Sequence, residues 1–140
     1  MVLIAALALP AAAQNATDLW LRGYSVIPTP RKASLLAGSA VVDERWSIDA
    51  GRLAPDQIAV RWLEEDLRSF HSLALPKGSG KKTIRLAVTP GAVATGREPE
   101  IDRQAYRLRV EAGAVVITGN SEQGLFYGVQ TFVQLLKRGS

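Results

Sequence analysis

Apolar and polar positions change period several times along the chain, and each change marks an element. Residues 83–89 alternate, with Ile84, Leu86 and Val88 on one side and Thr83, Arg85 and Ala87 on the other. A period of two is the pattern of a strand with one buried face. Residues 105–110 repeat it, setting Tyr106, Leu108 and Val110 against Arg107 and Arg109. Glu111-Ala112-Gly113 can turn the chain and Val115-Val116-Ile117 returns as a β-branched run, which predicts a hairpin. Residues 33–36, 40–43 and 45–49 read as three short strands parted by Gly38 and by charged residues.

Two segments follow the helical period instead. In 55–70, Val60, Leu63, Leu67 and Phe70 share one face at 100° per residue, and Gln57, Arg61, Glu64, Glu65 and Arg68 share the other. Trp62 and Asp66 fall at the margin, and Pro55 suits the first turn. In 121–136, Leu125, Val129, Phe132, Val133 and Leu136 line a buried face. Asn120 followed by Gln123 predicts a capping box, while Lys137, Arg138 and Gly139 suit the C-terminal end. Adding Phe126 and Leu135 widens the apolar arc to about half the circumference, against the roughly 100° stripe of an ordinary surface helix. A helix this wide has more to bury than one sheet face covers, so another layer or another domain is expected on it.

The order strand, helix, strand across 45–89 predicts a crossover, right-handed if the strands are parallel. Residues 76–80 and 90–103 read as loops, and 14–30 as extended chain held by Pro28-Thr29-Pro30. At 140 residues the chain fits one domain and falls short of the roughly 250 that a (β/α)₈ barrel takes. The net charge of +4 comes from scattered cations, apart from Lys81-Lys82 and Lys137-Arg138. Without a basic stripe interleaved with aromatics, the expectation is no nucleic-acid partner. Zero cysteines exclude zinc–cysteine sites and thiol catalysis.

Val2 to Leu9 form a short uncharged apolar run, broken by Pro10 and followed by Ala11-Ala12-Ala13. This predicts an export signal over residues 1–13 with a mature chain starting near Gln14, although no Lys or Arg follows Met1. The expected location is therefore periplasmic or extracellular. The run is too short for a membrane span, which needs about 20 residues.

Val26-Ile27-Pro28-Thr29-Pro30-Arg31 resembles the opening motif of the N-terminal domain of family 20 glycoside hydrolases. Gln104-Ala105-Tyr106-Arg107-Leu108, followed by Gly124-Leu125-Phe126-Tyr127-Gly128-Val129-Gln130-Thr131, resembles the closing hairpin and helix of the same domain. The resemblance covers Tyr24 to Leu136. It implies an α+β fold, a mixed, largely antiparallel sheet with two main helices packed on one face, over 24–138 and ahead of a catalytic barrel. In that family the barrel removes terminal N-acetylhexosamine by a substrate-assisted route, with the substrate's acetamido group as nucleophile, an Asp to steady it and a Glu as general acid. Those residues, and the substrate-holding arginine shortly after the closing helix, belong to parts of the family that these 140 residues do not resemble. No catalytic, cofactor-binding or metal-binding residue is carried over, and no cofactor is implied.

Other constellations read as structural. Asp43-Glu44 lacks the His-x-Gly-Gly stretch that precedes the family's catalytic pair, and reads as a solvated turn. Gly78-Ser79-Gly80-Lys81-Lys82-Thr83 echoes a phosphate loop, but Leu75 and Lys82 stand where Gly and Ser or Thr are required. His71, the single histidine, reads as a partner of helix-terminal carbonyls, and Asp66 as a rim salt bridge with an Arg. Trp20, Trp46 and Trp62 belong to different segments and read as core or rim rather than as a sugar-stacking platform.

The expected function is a non-catalytic accessory domain. It packs on the catalytic barrel of an exported glycosidase through Leu125, Phe126, Val129, Phe132, Val133, Leu135 and Leu136, and the isolated chain self-associates through that face. Two alternatives stay open: a free-standing carbohydrate-binding module, and the equivalent domain of another glycosidase such as an α-glucuronidase.

Overall fold

In the computed structural model, residues 2–8 and 34–138 are described. The proline motif, the tail over 14–30, Trp20 and Gly139 lie outside them. The elements in chain order are β1 (Val2–Ala8), β2 (Ser34–Val42), β3 (Ser47–Asp49), α1 (Ile58–His71), β4 (Thr83–Val88), α2 (Pro99–Arg103), β5 (Tyr106–Glu111), β6 (Ala114–Gly119), α3 (Glu122–Leu135) and β7 (Lys137–Arg138). The strands form one mixed sheet in the order β2-β1-β5-β6-β4-β3, with β7 beside β1. Pairing is parallel for β3–β4 and β4–β6 and antiparallel elsewhere. Both long helices pack on one face, so the fold is α+β with two principal layers.

Alternation decides which face they cover. Ile84, Leu86, Leu108, Val110, Val115 and Ile117 are buried beneath the helices, together with Val60, Leu63 and Leu67 of α1 and Leu125, Val129, Phe132 and Leu135 of α3. Each such side chain contributes about 1.5–3 kcal/mol on burial. The intervening residues turn outward, where Arg85 pairs with Asp49 at 3.4 Å and Arg109 with Glu111 at 2.6 Å. The sheet thus has one dry face and one charged, solvated face.

Several boundaries differ from the pattern reading. Residues 33–36 and 40–43 are not two strands but one, β2, because the chain bulges at Gly38 without breaking. Register runs from Ala5↔Ser39 to Leu7↔Leu35, so Leu36, Ala37 and Gly38 together oppose Ala6. The segment predicted over 45–49 starts at Ser47, since Trp46 N–H donates to Asp43 C=O at 3.1 Å and closes a turn first. Helix α1 starts at Ile58 and not at Pro55: the Gln57 side chain caps it, accepting from Ala59 N at 2.7 Å and Val60 N at 3.3 Å. Phe70, placed on the buried face by its period, is exposed in the last turn. The loop over 90–103 contains the short helix α2, whose signal was Pro99 at the first turn with Glu100 and Asp102. Lys137 and Arg138 leave the helix to form β7 instead of capping it.

The crossover is present: β3, α1 and β4 form a parallel strand–helix–strand unit with Ile48 opposite Ile84. The apolar run at the start of the chain is β1, paired with β2 at six register positions and with β5 at Leu7↔Val110. Cleavage near Gln14 would remove that strand.

Candidate functional site

The closing motif is a set of close approaches. A Cβ on Gly124 would lie 2.3 Å from Ala105 O and 2.9 Å from Arg103 O, and one on Gly128 2.6 Å from Ile117 Cγ2. Spaced by four, the two glycines share the helix face that presses on β5 and β6. Tyr106 completes the contact: its ring lies over Gly128 and its hydroxyl is hydrogen-bonded to Thr131 Oγ1. Burial raises the Tyr106 pKa, and the bond to Thr131 acts in the opposite sense. Tyr106, Gly124, Gly128 and Thr131 of the closing motif therefore serve to place α3.

The cap differs from the predicted capping box. Ser121, not Asn120, is the N-cap, accepting from Gly124 N at 3.3 Å and donating to Arg103 O at 2.6 Å. Asn120 is buried and turned the other way: Oδ1 accepts from Val93 N at 2.8 Å, and Nδ2 donates to Val93 O at 2.8 Å and Asp102 O at 2.9 Å. Gln123 reaches forward to the Tyr127 hydroxyl at 3.1 Å. Asn120 thus ties the loop before α2, and the end of α2, to the corner from which α3 departs. Sequence reasoning missed this role, because an Asn before a helix signals a cap and carries no mark of long-range clamping.

Of the seven residues expected on the inter-domain face, the structure places Leu125, Val129, Phe132, Leu135 and Leu136 in the domain's own core. Only Phe126 and Val133 keep part of their surface open. The wide apolar arc is divided between the sheet on one side and α1 on another, which a single helix's periodicity cannot reveal. On the outer side, the Trp62 ring meets Phe126 edge-on, with centroids 5.6 Å apart and planes at 77°, and Phe126 lies 6.4 Å from Tyr127. Trp46, by contrast, is fully buried and donates from Nε1 to Val41 O at 2.7 Å.

The polar constellations resolve into structural pairs. Asp43-Glu44 stands in the turn closed by Trp46, with Glu44 exposed but Asp43 mostly buried; Asp43 accepts from Arg45 Nη2 at 2.6 Å and from Arg45 N at 3.0 Å. The Arg45 side-chain bonds, then its backbone bond, hold the carboxyl at about 2, below its ordinary 3.8. A depressed folded pKa adds stability that is complete above about pH 4 and lost as pH falls through 2. Asp43→Asn is expected to flatten the stability–pH curve between pH 4 and 2, measured by urea midpoints; an unchanged slope would refute the pairing. Asp66 faces His71 Nε2 at 3.9 Å instead of an arginine, with burial raising its pKa. Gly78 and Gly80 lead into strand β4, not into a helix as a phosphate loop requires. No group of three His, Cys, Asp or Glu side chains gathers among the described residues, and no helix among them is long and apolar enough to cross a membrane.

The family description "Glycosyl hydrolase family 20, domain 2" matches residues 23–140. A β-hexosaminidase of Porphyromonas gingivalis is 31% identical over 136 residues, covering 93% of this chain and 17% of that protein. A probable α-glucuronidase A of Aspergillus clavatus is 25% identical over 148 residues, again 17% of that protein. The solved GH20 β-N-acetylhexosaminidase of Streptomyces coelicolor superposes with a TM-score of 0.66 at 26% identity, over 91% of this chain and 23% of that one. The chain thus spans about a fifth of the relatives it matches. With the two-layer fold and the closing hairpin and helix in place, this chain belongs to glycosyl hydrolase family 20, as its domain 2.

Proposed function

We propose that this chain is the non-catalytic accessory domain of a larger glycoside hydrolase of the β-N-acetylhexosaminidase type, acting on terminal N-acetylhexosamine. It packs against the catalytic (β/α)₈ barrel of the same polypeptide and fixes that barrel's surroundings. The observation that carries this reading is the family match across 23–140 within relatives about five times longer. The geometry agrees: the motif residues Tyr106, Gly124 and Gly128 serve packing, and the paired Asp43 is engaged by Arg45. An α-glucuronidase parent is the second reading, supported by relatives at 25% identity against 31% for the β-hexosaminidase.

Incubated with a chromogenic N-acetylglucosaminide, the purified chain is expected to give no turnover; turnover would sink the accessory reading. Titration with chitooligosaccharides is expected to leave tryptophan fluorescence without a saturable change. A saturable change would favour the carbohydrate-binding module.

The protein is proposed to be exported to the periplasm or beyond the cell. The recovered protein then begins near Gln14, and its sheet forms without β1. A mass corresponding to a chain that retains Val2–Ala8 would reject export by cleavage and keep that strand in the domain.

A further inference from the structure

On the outer face of the sheet, β4, β6 and β5 lie side by side in that order. Strand β6 turns only small uncharged side chains to this face, Ala114, Val116 and Thr118, because the alternate residues Val115 and Ile117 are buried. Its neighbours turn out arginines: Arg85 on β4, and Arg107 and Arg109 on β5, all exposed. Register sets Arg85 and Arg109 on opposite sides of Val116, and Arg107 beside Thr118. Strand β6 is thus the floor of a groove with guanidinium walls, whose wall backbones stand roughly 9–10 Å apart, twice the strand spacing.

A sheet face that is merely solvated gains from opposite charges placed directly across from each other. Across β6 no such pair exists, since each arginine there faces Val116 or Thr118. The carboxylates stand at the margins instead: Asp49 on the edge strand β3 pairs with Arg85 at 3.4 Å, and Glu111 at the hairpin end of β5 with Arg109 at 2.6 Å. Exposed ion pairs are weak, so both arginines can also serve a ligand. Among the described residues no ion pair engages Arg107, whose Nη2 donates to Ala92 O at 3.3 Å.

We propose that this groove binds an extended anionic polysaccharide, its carboxylates held by Arg85, Arg107 and Arg109 and its rings lying over β6. A planar guanidinium matches a carboxylate with two parallel hydrogen bonds, which a lysine would not do. The choice of a glycan rests on the glycoside hydrolase reading, and the composition of the groove favours it. No aromatic side chain of β4, β5 or β6 faces outward, so the bases of a single-stranded nucleic acid have nothing to stack on. Val116 is the largest apolar side chain that β6 turns to this face, so the buried anchor of a protein–protein contact is missing as well. A charged glycan lying along the sheet needs neither.

Polygalacturonate is the probe, and its fully methyl-esterified form is the uncharged control on the same backbone. Binding to the 140-residue chain is followed by titration calorimetry at low salt. The expected result is saturable binding of polygalacturonate that weakens with added salt, and none of the ester. Arg107→Gln is expected to weaken binding about tenfold, the scale of one lost charge-assisted pair, and Arg61→Gln on α1 to leave it unchanged. Thr118→Glu blocks the groove without removing an arginine. It gives Arg107 the cross-strand carboxylate that the native sequence lacks, so binding is expected to be lost while the urea midpoint stays at or above the parent's. Equal binding of the ester, or unchanged affinity in Arg107→Gln and Thr118→Glu, would overturn the proposal. So would equally tight binding of poly-L-glutamate, which points to an acidic protein segment, or equal weakening by Arg61→Gln, which points to net charge alone. Hydrolysis of the chromogenic N-acetylglucosaminide by the longer polypeptide that includes the catalytic domain is scored separately. Its absence rejects the hydrolase reading, whereas hydrolysis without polygalacturonate binding rejects only the groove.

Discussion

Gly124→Ala is expected to cost about 3 kcal/mol or more of folding stability, although the substitution is made inside a helix. In an exposed helix the same change stabilises by about 1 kcal/mol, since alanine loses less backbone freedom on folding. Here the new methyl would sit 2.3 Å from Ala105 O and 2.9 Å from Arg103 O. Both atoms are backbone, held by the turn that leads into β5, so no side chain can swing aside. Relief requires the first turn of α3 to lift from the sheet, which loosens Leu125 and Val129 in the core. Overpacking of this kind costs about 1–3 kcal/mol and more when the main chain must move. Against a total of roughly 5–15 kcal/mol, a melting temperature lower by about 10 °C is expected. Gly128→Ala is expected to be milder, because its nearest neighbours are the Ile117 and Tyr106 side chains. Urea midpoints for the three proteins decide the matter, and a Gly124→Ala midpoint at or above the parent's would show that α3 does not press on β5 as described.

The same contact explains what the sequence made legible. Strand alternation placed β4, β5 and β6 to within a residue or so, because Ile84, Leu86, Leu108 and Ile117 face one layer and nothing competes for them. The Gly-Leu-Phe-Tyr-Gly run of the closing helix was readable as a motif, but its physical content was not, since the atoms it meets come from β5 and β6. Local rules failed where a distant segment claimed the residue. Asn120 obeys the rule for a cap until Val93 and Asp102 offer it better partners. Phe70 fits the buried face of α1 by period, yet it lies in the helix's last turn and is exposed. The apolar arc of α3 is the largest such case: five of the seven residues expected on its contact face are buried within the domain. Periodicity measures how much of α3 is apolar, and it cannot say that α1 and the sheet already cover Phe132 and Leu135.

Asn120→Asp is expected to destabilise the domain by about 3–5 kcal/mol at pH 7, the scale of a buried charge left without its counterpart. The two side chains have nearly the same shape, so packing is preserved and the chemistry alone is tested. Oδ1 can still accept from Val93 N, but the second oxygen replaces a donor that served Val93 O and Asp102 O. A carboxylate facing two carbonyl oxygens in a buried site is disfavoured, so its folded pKa rises above the unfolded value of about 3.9. The sign follows from linkage. A raised folded pKa means that the protonated form, which can donate to one carbonyl, is the better-tolerated one. The deficit is therefore complete above the raised folded pKa and shrinks as pH falls from there towards 3.9. Asn120→Ala supplies the comparison: it leaves the same two carbonyls unpaired, and the Val93 N–H as well, without adding charge, so a loss of about 1–3 kcal/mol with no pH dependence of its own is expected. Denaturant midpoints at pH 7, 5.5 and 4 separate the two variants. Narrowing of the gap between Asn120→Asp and the parent at pH 4, with a constant gap for Asn120→Ala, identifies Asn120 as the amide clamp that holds α2 and its loop to the start of α3. A pH-independent gap in both would mean that the position is felt only through packing.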